Sequence, residues 1–167
     1  MKKLPVVIAV LIAGFIVWRS TNRSSETTPP VAALPGTTPK AIPQAEAISG
    51  SSLNKAFPTA ADGYKLTFTQ EKDGFSQADL SQAGKKVAML TVSDTAANPS
   101  ARDKFKTSTK QIAGYPAAPV GSQGTAVLVG DRYQVQARSA APTFTVADRE
   151  AWLARFKLGE LASLAKQ

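Results

Sequence analysis

The sequence predicts an α+β domain carried behind a transmembrane helix and a disordered tether. Three observations predict it. Short runs alternate apolar and polar side chains, glycine-containing pairs separate those runs, and two further stretches carry helix-start signals. The expected element order is β-β-β-α-β-β-α, a small antiparallel sheet of about five strands with two helices.

Residues 1–3 read as a cytoplasmic tip. The stretch from Leu4 to Trp18 contains no charged side chain and is bracketed by Lys2, Lys3 and Arg19. At about 1.5 Å per residue it falls slightly short of a ~30 Å hydrocarbon core, a gap that snorkelling lysines and local thinning of the bilayer close. Pro5 stands in the first turn, where a missing N–H costs nothing, and Trp18 marks the interface. No small-x-small cleavage site follows closely, so residues 4–22 are expected to remain as a signal anchor in contact with membrane lipid. Ala9 and Ala13 form a small-xxx-small pair suited to helix–helix contact. The expected location is a bacterial inner membrane, crossed once, with the N-terminus cytoplasmic and the C-terminal domain periplasmic or extracytoplasmic.

Residues 23–52 are rich in Pro, Ser, Thr and Ala, with prolines at 29, 30, 35, 39 and 43. Proline breaks helices and removes ladder donors, and few bulky apolar residues are present to offset the entropy of ordering. A flexible spacer tens of ångströms long is the expectation.

Residues 53–167 carry the soluble domain. Tyr64, Leu66 and Phe68 alternate with polar residues, and Asp73-Gly74 turns the chain back into a second strand. A third run, 87–92, is apolar on both faces and suits a central strand. Asn98-Pro99 opens a helix expected to reach residue 112 or 113, where Gly114 and Pro116 stop it. That helix would place Arg102, Lys106 and Lys110 on one face. The stretch 115–124 reads as an exposed loop or edge, with Tyr115, Pro116 and Pro119 as partner contacts. Gly130-Asp131 joins two further strands, the second with Tyr133, Val135 and Ala137 turned inward. The last helix starts near Thr145, with Asp148 completing a capping-box pattern, and packs Trp152 and Phe156 into the core.

Histidine and cysteine are both absent. This excludes imidazole acid–base chemistry, thiolate nucleophiles, thiolate metal sites and disulfides. Ser108 with Lys104, or Ser81 with Lys85, would be the residues of a histidine-free hydrolase, but no elbow or Ser-x-x-Lys motif frames them. Asp94, Asp131, Asp148 and Glu150 stand where turns and caps use carboxylates. No catalytic residue, metal site or cofactor is expected. The formal charge of +8 is spread among alternating signs, and export of the domain argues against nucleic acid as a partner. The reading that follows is a non-enzymatic, membrane-anchored envelope protein, an accessory or interaction subunit of a larger membrane or periplasmic complex. The alternative is a periplasmic ligand-binding or sensor domain for a small anionic or cell-wall molecule, with Tyr64, Phe68, Tyr133 or Trp152 lining its pocket.

Overall fold

Two antiparallel meanders, one from each half of the domain, meet side by side in a single sheet. The computed structural model describes residues 47–166, so the anchor at 4–22, the Ala9/Ala13 pair and residues 23–46 of the tether lie outside the described residues. Among the described residues no helix is long and apolar enough to cross a membrane.

The sheet has seven strands rather than about five. They are β1 (Tyr64–Lys72), β2 (Phe75–Gln82), β3 (Lys85–Asp94), β4 (Gln111–Ile112), β5 (Tyr115–Val120), β6 (Gly124–Val129) and β7 (Tyr133–Ser139). Their spatial order is β1-β2-β3-β7-β6-β5-β4, with every neighbouring pair antiparallel. The first meander therefore runs outward to β3. The chain then crosses to the far edge and works back, so that β7 pairs with β3 from Ala88↔Ser139 to Asp94↔Tyr133.

Tight turns make these hairpins, and their residues explain the registers. Gln82 pairs with Lys85 across Ala83 and Gly84, whose φ angles are 48° and 74°. Ile112 pairs with Tyr115 across Ala113 and Gly114, at 50° and 83°. Two left-handed residues in succession match the right-handed twist of the strands they join. Gly130 and Asp131, at 58° and 51°, are the left-handed pair in the β6–β7 connection, a three-residue turn that Arg132 completes.

One face of the sheet carries the main core. Ala88, Leu90 and Val92 of β3, Val127 and Val129 of β6, and Tyr133, Val135 and Ala137 of β7 all point to it and are buried. Helices α1 (Gly50–Asn54), α3 (Val146–Ala154) and α4 (Leu158–Leu164) cover this face. The ordered fold thus begins before Leu53: Ser49 caps α1, and Ile48 accepts a hydrogen bond from Gly74 N at 2.7 Å. Helix α3 opens on the capping box expected at Thr145 and Asp148, and seats Trp152 edge-on to Tyr64, ring centroids 5.1 Å apart. The chain bends before Gly159, where Lys157 N donates to Ala56 O at 3.0 Å and starts α4 in a new direction.

The crossover covers part of the other face. It consists of a 3₁₀ turn, Pro99–Arg102, and a short helix, α2 (Asp103–Lys106). Phe105 packs there on Ala118, Ala126 and Leu128, so every residue of β6 is buried. The long helix expected from residue 98 to 112 does not form. Thr107, Ser108 and Thr109 favour side-chain-to-backbone bonds over helix, and Ser108 Oγ bonds Ala117 O and accepts from Lys110 N. Phe105 and Ile112, which share a stripe on a continuous helix, instead enter cores on opposite faces of the sheet.

Candidate docking site

The crossover, the start of β5 and the β6–β7 turn enclose a cleft of about 520 Å³. Its floor is apolar, made by Phe105 and Leu128 with Pro99 and Pro116 beside them. Its rim is charged, with Arg102 and Lys106 against Asp103 and Asp131. Pro99 fixes the first residue of the 3₁₀ turn, and Phe105 is pulled inward by the small residues Ala118 and Ala126 beneath it.

Arg102 is held in place. Its Nη1 donates to Asp131 O at 2.5 Å and its Nε to Pro99 O at 3.3 Å, which ties the crossover to the β6–β7 turn. Lys106 is held by less: its ion pair with Asp103, at 2.7 Å, joins two exposed side chains three residues apart on one short helix. Such pairs contribute little to stability and leave the ammonium free to exchange partners. Lys104 points the other way. It bonds Ala101 O at 2.8 Å and Gln134 Oε1, and burial lowers its pKa from the ordinary lysine value.

The structure divides the residues that the sequence grouped. Arg102, Lys106 and Pro116 converge on this cleft. Lys110 does not share their face, because the helix ends at Lys106; its Nζ lies 2.5 Å from Glu150 Oε1 on α3. Pro119 lies with Lys110 at a second cleft. Tyr115, expected as an exposed aromatic in a loop, is half-buried in β5 and packs against the main core. Of the two forms expected for 115–124, loop or edge, the structure shows the edge: a strand followed by a turn. Its prolines are tolerated because β4 pairs only with Tyr115 and Pro116, which leaves Pro119 on an open edge.

Asp131 was read only as a turn residue, and Leu128 was not marked. Leu128 lies on the outer side of an apolar run, and nothing local signals that the crossover leaves it at a cleft. The Ser108–Lys104 pairing does not occur, since each bonds other partners. Tyr133 and Trp152 are core residues, 1% and 3% exposed, and Phe68 leans on Phe57 with ring centroids 5.0 Å apart. Among the described residues no group of three or more acidic side chains is placed to hold a metal ion.

Comparison with protein-family models, with curated proteins and with solved structures gives no match.

Proposed function

We propose that this chain is a non-enzymatic, membrane-anchored envelope protein that serves as an accessory or interaction subunit of a larger membrane or periplasmic complex. In this reading residues 4–22 cross the bacterial inner membrane once, the N-terminus is cytoplasmic, and the tether holds the domain outside the cytoplasm. The observation that carries the docking role is the cleft beside α2. An apolar floor inside a rim of both charge signs has the composition of a small protein interface, in which desolvated apolar contacts give affinity and rim charges give register. Arg102 is fixed before any partner arrives, so its guanidinium costs little to order on binding. The occupant that fits is a protein segment with an apolar side chain for the floor and an acidic one for Lys106.

The test uses the full chain, solubilised from its native membrane in a mild uncharged detergent and recovered by a C-terminal tag. A stoichiometric protein partner is expected. Its recovery should fall at least tenfold when Arg102 and Lys106 are both changed to Glu, with the domain still cooperatively folded. Recovery of the wild-type chain as a lone monomer would reject the reading, and so would a partner indifferent to the double variant.

A further inference from the structure

Arg149 is a guanidinium in the core without a carboxylate. It lies in the first half of α3 and is 5% exposed. Its Nε donates to Thr125 Oγ1 at 3.0 Å and its Nη1 to Ser139 Oγ at 2.7 Å. Ser139 Oγ in turn donates a hydrogen bond to Phe144 O at 2.6 Å. Both hydroxyls are buried, on β6 and β7 respectively. The ion pairs among the described residues all involve other side chains, and Nη2 makes no hydrogen bond there. Two neutral acceptors solvate part of a five-donor fork but leave its charge unbalanced, and a buried unpaired charge is destabilising.

Arg149 forms part of the wall of a cleft of about 330 Å³. Ala118, Pro119 and Val146 make the apolar side of that cleft, and the β5–β6 turn at Gly121 and Gly124 contributes bare backbone. Lys110 and Glu150 also line it and neutralise each other at 2.5 Å. The uncompensated charge is therefore a single positive one at the inner wall. A planar guanidinium with open donors matches an oxyanion. One net charge matches a monoanion, whereas a dianion would meet the Glu150 carboxylate without a second free cation to balance it.

We propose that this cleft binds a small organic carboxylate, its oxygens on Arg149 and its short apolar tail between Ala118, Pro119 and Val146. The site is separate from the docking cleft and does not depend on it.

The test follows the Arg149 Nε–Hε signal by NMR in the ¹⁵N-labelled full chain, held in uncharged micelles at pH 7 and constant ionic strength. The probes are sodium acetate, butyrate and phosphate, with chloride as the reference. Saturable shifts are expected for both carboxylates. Butyrate should reach half-saturation at a roughly tenfold lower concentration than acetate, because two more methylenes leave water. Arg149→Gln removes an anchor of α3 together with the anion site, so the deciding variant is Val146→Trp. Val146 is 52% exposed, and the indole would fill the cleft while leaving Arg149 in place. This variant should keep the wild-type melting temperature and lose the carboxylate response. The proposal is overturned by shifts no larger than those with chloride, by phosphate binding more tightly than butyrate, or by a full response in a folded Val146→Trp protein.

Discussion

Arg132 clasps Asp94 across the central seam of the sheet. Its Nε stands 3.1 Å from both carboxylate oxygens and its Nη2 2.7 Å from Oδ2, with the Asp94 side chain only 3% exposed. Asp94 Oδ1 also accepts from Ala96 N at 2.9 Å, and Arg132 O accepts from Thr95 N and Oγ1 at 2.9 and 2.6 Å. The end of β3 and the turn after β6 are thus tied by side chain and backbone together. The bond from Asp94 raises the Arg132 pKa above its ordinary value.

Arg132→Leu should destabilise the domain by about 3 kcal/mol, since it strands a buried carboxylate. The double variant Arg132→Leu/Asp94→Leu should recover a large part of that loss, because replacing both charges removes the stranded one. Urea denaturation of the two single variants and the double variant measures the coupling. Additive losses would mean that the clasp contributes nothing.

Ala83 and Ala113 sit in left-handed backbone that alanine rarely adopts and asparagine tolerates. Ala83→Asn and Ala113→Asn should each stabilise the protein by about 0.5–1 kcal/mol, raising the melting temperature by roughly 2–4 °C. Both positions are exposed, so no packing change obscures the comparison.

Two glycines should respond to alanine with opposite signs. A Cβ on Gly50 would lie 2.8 Å from both Lys72 N and Lys72 O, backbone atoms with little room to retreat. Gly50→Ala should cost about 2 kcal/mol and loosen α1, seen as faster amide exchange at Gly74, which bonds the residue just before the cap. Gly159, in the first turn of α4, has nothing within 4 Å of its Cβ position. Gly159→Ala should stabilise by about 0.5–1 kcal/mol.

Asp148 gives the fold an acid-side dependence. Thr145 Oγ1 and Thr145 N both donate to Asp148 Oδ2, each at 2.7 Å, and these bonds hold the carboxyl pKa below its ordinary value, the hydroxyl bond contributing most. The folded state therefore binds this proton less readily than the unfolded state. The stabilisation is complete above the ordinary carboxylate value, near 4, and is lost as pH falls through the lower folded value. Asp148→Asn keeps an acceptor for Thr145 N but does not titrate. Its stability should fall less steeply than that of the wild type as pH drops below about 4, as followed by thermal melting.

Where the chain was legible, local chemistry and tertiary structure agree. Tyr64, Leu66 and Phe68 alternate because one face of β1 is half-covered, and Tyr133, Val135 and Ala137 point inward as their spacing predicts. The capping box at Thr145 and the turn at Gly130 depend on neighbours in sequence, and they form. The region from Thr107 to Gly114 was misread because its structure depends on distant partners. Gly114 looks like a helix stop but serves a two-residue hairpin, while the edge at Pro116 and Pro119 is one of the two forms their sequence allows. The candidate docking cleft was legible only in part. Arg102 and Lys106 are marked by charge, whereas Asp131 and Leu128 join them through a crossover that no local pattern reveals. Arg149 looked like any charged helix residue, because only the tertiary fold buries it.

The pairing of β3 with β7 also governs when the chain can fold. Strand β3 can finish its own hairpin with β2 early, but its other side stays open until the polypeptide has supplied the crossover and three more strands. Contacts between residues so far apart in sequence are slow to form, because the loop entropy must be spent before the seam gives anything back. A ribosome-bound chain that stops short of Tyr133 therefore exposes an unpaired apolar strand, and only about the last fifth of the sequence makes it safe from association with its neighbours.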